Sequence, residues 1–463
     1  MAVAGMGVAG MGVVVVILGG LAGAAWADPG APAGPAPASS AATLGLSLVR
    51  QTPWVGPGPG HQELSLGLRV TGTAPRAPLA VTLTVYDALS TRSGFAETLG
   101  GRDLGGVLTR SPALPLSSLA TDAQGVTTLT VPVVGDAAPP GAGTWTADLR
   151  CPAGGCAGVY PVEVAVGGAT PGSGAPSAQL VTYLVYDDPS SQAQPLRFAL
   201  VVPLGSTSPA AGADGRSAGV GAAELSRFDG VVGALATAPT VPVTLEPDPA
   251  MLQALAASGH GRSVAALAAL AAGGGHQTLS QSYVPVDPTA LVDAGLGDEV
   301  STQVRRAAQV LASPAVGVRA TTGTWVATAG LDQATIDLLA PQFPHVVVPA
   351  SSVTGPTGPL TATQPFTLTT GRGASVSAVV SDAGLGAHLV AAEGSDPALA
   401  AEQLVADLSL VFDEAPNLLG PGGTPATRGV VAVAPLGWAP GASFVTDALA
   451  GLRDNPVIDP VTL

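Results

Sequence analysis

The chain has 463 residues and a formal net charge of −15, with 47% hydrophobic and 11% charged residues. This length predicts two or three domains, and the apolar content excludes intrinsic disorder. The negative charge excludes nucleic acid as the main partner, because phosphate backbones repel such a surface. Every basic residue is an arginine, which also excludes lysine chemistry such as a Schiff base.

The first 27 residues are typical of a secretory signal peptide. Gly7 to Ala25 is apolar and built of small residues, and Ala25-Trp26-Ala27 forms an A-x-A cleavage site before Asp28. The stretch is short and broken by glycine, which favours a cleaved signal over a spanning helix. Neither Arg nor Lys precedes it, so an uncleaved anchor or a misplaced start codon is the open alternative. We expect a secreted or cell-envelope, extracytoplasmic protein.

Residues 28–43 are rich in Pro, Ala, Gly and Ser and are typical of a linker. Residues 44–188 then carry short runs of alternating apolar and polar residues bounded by turn residues, a pattern that indicates half-buried strands. About seven such strands predict an all-β immunoglobulin-like sandwich. The predicted strands are Leu44–Arg50, Glu63–Gly72, Leu79–Ala88, Gly125–Val133, Gly143–Arg150, Gly158–Val166 and Ala178–Asp187. The connection Leu89–Ala120 is predicted as a loop with a short helical turn.

Cys151 and Cys156 are the two cysteines of the chain. In an exported protein, a pair this close predicts a local disulfide that closes a Gly-rich turn. A zinc site is disfavoured because two thiolates without a nearby histidine do not complete four ligands.

After a hinge at residues 189–196, the pattern changes in residues 197–463. Apolar runs without alternation now precede alanine-rich helical segments, which predicts parallel strands covered on both faces. The predicted strands are Arg197–Leu204, Val241–Asp248, Gln277–Asp287, Val318–Ala327, His345–Ser352, Ser375–Asp382 and Arg428–Leu436. Ser226 is predicted to cap the first helix and Asp396 the long helix after the sixth strand, and Val353–Gly373 is predicted to be an insertion rich in Thr, Pro and Gly.

Seven strand–helix units without a G-x-G-x-x-G motif favour a (β/α)7-type barrel, and a doubly wound sheet is the alternative. The fold class predicted for the whole chain is therefore multidomain, with an N-terminal all-β sandwich followed by an α/β barrel.

Several segments carry a resemblance to a known family. They are PVTLEPDPAMLQAL, SYVPVDPTALVDAGLGDE, LDQATIDLLAPQFPHVVVP, RGVVAVAPLGW and NPVIDPVTL. They resemble the glycoside hydrolase/deacetylase-type (β/α)7 barrel. The whole chain is similar to a family of uncharacterised actinobacterial envelope proteins, secreted or membrane-anchored, which pair an immunoglobulin-like domain with such a barrel. The resemblance implies an envelope location, and family members often continue into a C-terminal membrane helix.

Barrel chemistry collects at the carboxyl ends of the strands. There, Glu246, Asp248 and Asp287 are the candidate catalytic residues, because glycoside hydrolysis needs two carboxyl groups. Each aspartate precedes a proline at a strand-to-helix turn. The alternative is therefore that Asp248 and Asp287 cap the helices that follow.

Aromatic and acidic side chains at the same strand ends are the candidate ligand-binding residues. They are Tyr283, Trp325, Asp382 and Trp438. The two tryptophans have core packing as an alternative role. None of the five histidines has the spacing of a deacetylase metal site, so no metal and no cofactor is predicted.

Three functions are compatible with this pattern. The first is a degenerate, non-catalytic barrel that binds a cell-wall glycan or an envelope protein. The alternative is a carbohydrate-active hydrolase or deacetylase acting on cell-wall polysaccharide, and a structural spacer without a pocket is the third possibility. Rim carboxylates that converge in a pocket would favour the enzyme, and carboxylates bound to backbone N–H groups would favour the binding protein.

Overall fold

The computed structural model describes residues 44–72, 78–134, 145–151, 155–168, 178–188, 193–207, 219–353, 360–420 and 423–463. The predicted signal peptide and linker lie outside these ranges, as do residues 189–192 of the hinge. Residues Ala42–Leu463 form one compact unit. Within the described ranges, no helix is both long and apolar enough to cross a membrane.

Strands predominate in the first part of the chain, and strands alternate with helices in the second part. The strands are β1 (Gly45–Gln51), β2 (Glu63–Thr71), β3 (Leu79–Tyr86), β4 (Val107–Arg110), β5 (Leu114–Pro115), β6 (Ala120–Thr121), β7 (Val126–Val134), β8 (Ala147–Asp148), β9 (Gly158–Gly168), β10 (Ala178–Tyr186), β11 (Leu196–Leu204), β12 (Val243–Pro247), β13 (His276–Thr278), β14 (Thr324–Val326), β15 (His345–Pro349), β16 (Phe366–Thr369), β17 (Ser375–Ser381), β18 (Gly429–Val433) and β19 (Ile458–Val461). The helices are α1 (Arg92–Thr98), α2 (Ala222–Ala236), α3 (Pro249–Ala257), α4 (Gly261–Ala272), α5 (Pro288–Asp293), α6 (Gly297–Leu311), α7 (Gln333–Leu339), α8 (Ala383–Ala391), α9 (Pro397–Asp413) and α10 (Ala442–Leu452).

The amino-terminal half is built from two five-stranded sheets. One follows the order β1-β2-β7-β6, with β8 beside β7, and the other the order β10-β9-β3-β4, with β5 beside β3. The neighbours within each order pair antiparallel. Alternate residues of both sheets meet in one apolar cluster, for example Leu66 and Leu68 of β2 with Leu83 of β3 and Val164 of β9. Two antiparallel sheets that share a core form a layered β structure. The disulfide between Cys151 and Cys156 is present, which confirms that prediction.

The carboxyl-terminal half is built around a nine-stranded, mostly parallel sheet. Its main path is β13-β12-β11-β18-β17-β15-β14, and every neighbour on this path pairs parallel. An isolated parallel bridge joins Leu279, just after β13, to Thr321, just before β14, so the two ends of the path are in contact. Parallel strands and intervening helices were the central prediction for this half, and the pairing confirms them.

The two faces of these strands contact different clusters. On β11, Phe198, Leu200 and Val202 pack with the helices, whereas Val201 packs with Val326 of β14, which lies at the far end of the path. A cluster that joins such distant strands requires a strongly curved sheet.

Some predicted boundaries were wrong. Helix α2 begins after Gly221, before Ser226, so Ser226 lies inside the helix. Strand β13 ends at Thr278, so Tyr283 follows in a loop instead of ending a long strand. The predicted insertion contains β16, which pairs antiparallel with β17. The pattern of β16 is Phe-Thr-Leu-Thr, a period of two that the surrounding Thr, Pro and Gly residues obscure.

Candidate functional site

The carboxyl ends of the parallel strands surround a cavity of about 550 Å³. Its polar lining consists of a few side chains among Pro, Val, Ala and Leu residues. The polar lining residues are Glu246, Asp248, Gln281, Ser282, Asp287, Thr328 and Ser381. A cavity is therefore present at the predicted location, the carboxyl ends of the strands, and all three candidate catalytic residues line it.

Glu246 is the carboxyl group of the described lining that does not cap a helix. It follows Leu245 on β12, and because side chains alternate along a strand it faces away from the helices that Leu245 contacts. None of the residues that the structure describes donates a hydrogen bond to its side chain. Burial, together with the charge of Asp248, raises the pKa of Glu246 to about 8. At neutral pH this side chain is therefore mainly protonated, and it can both donate and accept a hydrogen bond.

The side chain of Asp248 is hydrogen-bonded to the backbone. It is the N-cap of α3, and its Oδ1 accepts hydrogen bonds from the N–H groups of Ala250 at 2.9 Å and Met251 at 3.1 Å. Burial raises the pKa of Asp248 to about 6, although these bonds and one from the N–H of Ser206 act in the opposite direction. Its geometry is that of the cap alternative.

Asp287 is arranged in the same way at the next turn. It is exposed, and its Oδ1 accepts hydrogen bonds from the N–H groups of Thr289 at 2.9 Å and Ala290 at 3.2 Å. Pro288 occupies the first position of α5, as the Asp-Pro pattern predicts. Both aspartates therefore satisfy helix N-termini, and Glu246 differs from them in having no such partner within the described chain.

The wall next to Asp248 depends on a close backbone approach. A Cβ atom added at Gly205 would lie 3.1 Å from the Cβ of Asp248 and 3.0 Å from the Cδ1 of Leu436. Arg227 of α2 holds this loop from outside, because its Nη2 donates to the carbonyl of Gly205 at 2.8 Å. Glycine at position 205 therefore lets the loop after β11 and the loop after β18 close one side of the cavity.

Gln281 is a lining residue that sequence reasoning missed. It is buried, and its Oε1 accepts a hydrogen bond from the N–H of Val326 at 2.8 Å. Its Nε2 has no hydrogen-bond partner in the described part of the chain. A buried amide with an unused donor is available to a polar ligand. The available signal was its position just after β13. The predicted strand instead continued to Asp287, which placed Tyr283 at the strand end.

The structure places the four predicted ligand-binding residues outside the lining of this cavity. Tyr283 donates its hydroxyl to Oε1 of Gln253 at 3.0 Å, and Arg306 lies 5.3 Å from its ring centroid. Asp382 caps α8 and forms an ion pair with Arg92, with its Oδ2 2.8 Å from Nη1. Neither side chain is directed to the cavity.

Both tryptophans are core residues. Trp325 is 3% exposed and packs edge-on against Phe343, with ring centroids 5.1 Å apart. Trp438 is 2% exposed and donates its indole N–H to the carbonyl of Leu389 at 2.7 Å. A ring buried in this way presents no face on which a sugar could stack, so packing explains both positions.

The histidines do not converge on the cavity either. Over the ranges that the structure describes, no group of three or more His, Cys, Asp or Glu residues could hold a metal ion. His276 of β13 is buried, neither of its ring nitrogens forms a hydrogen bond with a described residue, and burial lowers its pKa. A neutral imidazole on an interior strand is a packing residue.

Comparisons with known proteins give weak similarities. No protein-family model matches the chain, and no curated protein matches it. A 4-α-glucanotransferase from Thermococcus litoralis is 11% identical with a TM-score of 0.42, over 58% of this chain and 39% of the enzyme. The chain thus aligns with well under half of that enzyme's length.

Two further solved structures are similar to the same degree. A putative polysaccharide deacetylase from Mycobacterium smegmatis is 16% identical with a TM-score of 0.37, over 58% of this chain and 88% of that protein. A GH57-type branching enzyme from Pyrococcus horikoshii is 9% identical with a TM-score of 0.38, over 58% of this chain and 69% of the enzyme. At TM-scores below 0.5, similarity establishes neither a common fold nor a common activity.

Proposed function

We propose that this chain is an exported cell-envelope protein that binds a cell-wall glycan in the strand-end cavity without chemical turnover. The observation that carries the proposal is that Asp248 and Asp287 cap helix N-termini, so that Glu246 is the carboxyl group of the described lining without a hydrogen-bond partner. Hydrolysis of a glycosidic bond by a pair of carboxyl groups requires a second carboxyl group that is free to act. The disulfide supports an extracytoplasmic location, because disulfides persist in oxidising compartments.

The cavity has the composition of a binding site for a polyhydroxylated ligand. Glu246, Gln281, Ser282, Thr328 and Ser381 provide hydrogen-bonding groups on a largely apolar wall, and none of them is a cation. Ligand pockets combine an apolar lining with a few placed polar groups in this way. A neutral sugar fits better than an anionic ligand, which would meet three carboxyl groups.

The architecture proposed with this function is an immunoglobulin-like sandwich at residues 44–188 and a (β/α)7-type barrel at residues 197–463. Two antiparallel sheets with a common core support the first. The parallel path of seven strands and the bridge from Leu279 to Thr321 support the second, because in a closed sheet the first and last strands must pair.

The experiment is a titration of the full chain with N,N′-diacetylchitobiose, a neutral disaccharide of N-acetylglucosamine, followed by calorimetry. We expect Glu246→Ala to weaken binding by about tenfold, because one hydrogen-bonding group is lost. We expect Glu246→Gln to bind almost as well as the parent at pH 7, because the parent side chain is mainly neutral there. Glu299→Gln on the exposed face of α6 is the matched control.

The same samples are assayed for released reducing ends and released acetate. Absence of disaccharide binding, or equal binding by Glu246→Ala and the parent, would overturn the proposal.

The alternative is a carbohydrate-active hydrolase or deacetylase, and one observation favours it. A pKa of about 8 would keep Glu246 protonated, as a general acid must be at neutral pH. In that case Glu246→Gln would lose turnover while keeping affinity. The amide variant therefore separates the two functions.

A further inference from the structure

A side-chain hydrogen bond joins the two antiparallel sheets of the amino-terminal half. Gln51 ends β1 and Thr182 lies on β10, and each strand stands at one end of the strand order of its own sheet. The hydroxyl group of Thr182 donates to Oε1 of Gln51 at 2.7 Å, across 131 positions of the chain. This contact brings a hydroxyl group, which can act as a nucleophile, next to the carbonyl group of a primary amide.

The amide nitrogen of Gln51 is held by two acceptors. Its Nε2 donates to the carbonyl of Tyr183 at 2.6 Å and to Oε2 of Glu402, on helix α9, at 3.2 Å. These contacts assign the orientation of the amide, because its oxygen accepts from Thr182 and its nitrogen faces only acceptors among the described residues. Gln51 therefore has a hydroxyl group at its carbonyl oxygen and a carboxyl group at its nitrogen.

The surroundings of Glu402 suit it to act as an acid. It is 1% exposed, and burial together with the charge of Asp447 on α10 raises its pKa, although the bond from Gln51 acts in the opposite direction. Glu402 forms no ion pair with any Arg or His that the structure describes. A neutral carboxyl group can deliver a proton to a nitrogen as its C–N bond breaks. Thr182 is fully buried, which keeps water away from the reacting groups.

We propose that Gln51 and Thr182 form an intramolecular ester, so that a covalent bond joins the two sheets. Oγ1 of Thr182 attacks Cδ of Gln51, and its proton passes to Oε1 along the existing hydrogen bond. Glu402 protonates Nε2, the C–N bond breaks and ammonia leaves, and the proton on Oε1 restores the acid form of Glu402. One hydroxyl group and one amide thus give one ester and one ammonia molecule, and no external reactant is consumed.

The position of Glu402 sets the order of events. Glu402 belongs to α9, in the carboxyl-terminal half, whereas Gln51 and Thr182 belong to the amino-terminal half. The ester therefore forms only after the two halves have packed together. A cross-link that closes a long loop removes conformational entropy from the unfolded chain, so this ester stabilises the amino-terminal half. The inference does not depend on the proposed glycan site.

The test is peptide mass spectrometry of the denatured and reduced full chain after cleavage at glutamate. This cleavage releases the peptide that ends at Glu63 and the peptide Val164–Glu224. Neither begins with glutamine, whose cyclisation would also release ammonia. We expect the two peptides to be joined, with a mass lower than their sum by one ammonia molecule. Hydroxylamine at alkaline pH cleaves esters and should separate them.

Variants test the role of each group. Thr182→Val removes the nucleophile and should leave the two peptides separate, whereas Thr182→Ser keeps a hydroxyl group and should still join them. Glu402→Gln should lower the joined fraction by at least about tenfold after equal incubation, because the acid is lost. Thr84→Val, at another buried threonine of the amino-terminal half, is the matched control and should join the peptides like the parent.

The result for the parent chain decides the proposal, because it does not depend on how well a variant folds. Separate peptides in the parent, or joined peptides in Thr182→Val, would overturn the ester. A joined fraction in Glu402→Gln equal to that of the parent would overturn the role of Glu402.

Discussion

Substitution of Arg92 by methionine should cost more stability than replacement of any exposed arginine. Arg92 begins α1 in the amino-terminal half, and its guanidinium contacts the carboxyl-terminal half. Nε and Nη2 donate to Asp407 at 2.6 and 2.8 Å, and Nη1 and Nη2 donate to Asp382 at 2.8 and 2.9 Å. Nη1 also donates to Thr361 at 3.0 Å. These five bonds use all five N–H donors of a guanidinium.

The magnitude follows from burial. The side chains of Arg92, Asp382 and Asp407 are 19%, 14% and 4% exposed, so methionine would leave two carboxylates together with little water. Loss of one partner from a buried ion pair costs about 3–5 kcal/mol. Asp382 keeps its bond from the N–H of Leu385 and Asp407 keeps its contact with His388, which favours the lower end, about 3 kcal/mol.

The stability loss in Arg92→Met should depend on pH, and the direction follows from the pKa of Asp407. Burial alone would raise the pKa of Asp407, but hydrogen bonds from Arg92 and His388 outweigh it and the pKa is lowered. In the parent, this carboxylate therefore contributes stability above the pKa of an unfolded aspartate, and the contribution is lost as the pH falls. Without Arg92, burial dominates and protonation becomes favourable. The stability difference between parent and Arg92→Met should therefore narrow as the pH falls from 7 to about 4, where the variant's Asp407 takes up a proton that the unfolded chain does not yet bind, and narrow further below that pH.

The assay is urea unfolding followed by tryptophan fluorescence at pH 7 and pH 4. Arg262→Met, an exposed residue of α4, is the control and should change the free energy of unfolding by less than about 0.5 kcal/mol. A double variant that adds Asp407→Asn should recover part of the loss, because it removes one of the unpaired charges. A loss for Arg92→Met no larger than that of the control, or one that widens at low pH, would refute the reasoning.

Three further predictions concern other groups. Burial raises the pKa of Asp187 from 3.8 to about 7, so the folded state binds this proton more tightly than the unfolded state does. The free energy of unfolding should therefore fall by at most about 4 kcal/mol as the pH rises from 3.8 to 7. Urea unfolding of Asp187→Asn should lack this part of the pH dependence, and an unchanged pH dependence would contradict the prediction. Asp248→Ala should lower the free energy of unfolding by about 2 kcal/mol, and exposed Asp287→Ala by less, since the side chain of Asp248 accepts three backbone hydrogen bonds, from Ala250, Met251 and Ser206, and that of Asp287 accepts two; equal losses would contradict this reasoning. Cys151→Ser should cost about 2 kcal/mol by releasing the loop to Cys156, and dithiothreitol should then have no further effect on its unfolding midpoint.

Local rules gave the most reliable predictions from the sequence. An aspartate followed by proline, after an apolar run, predicted the turns at Asp248 and Asp287 because an N-cap and a first-turn proline depend only on adjacent residues. Buried parallel strands were predictable for a similar reason, since two covered faces require an apolar run such as β11.

Long-range contacts could not be predicted in the same way. Arg92 lies 290 and 315 positions before its two carboxylate partners, and no local pattern in an isolated chain joins them. The tryptophans at strand ends illustrate the same limit. The indole N–H of Trp438 donates to the carbonyl of Leu389, 49 positions earlier in the chain, and the ring is buried in the core.

Helix α9 has consequences for any attempt to divide the protein. Its residues Ala398 and Leu399 belong to the core of the two antiparallel sheets, whereas Leu404 and Leu408 belong to the core of the parallel sheet. Val405 and Leu410 pack with Trp54 and Tyr183 of the amino-terminal half. A fragment that starts near residue 197 would present this bare apolar strip to solvent, and we expect such a fragment to precipitate or self-associate during purification. Recombinant work on either half should therefore retain the other.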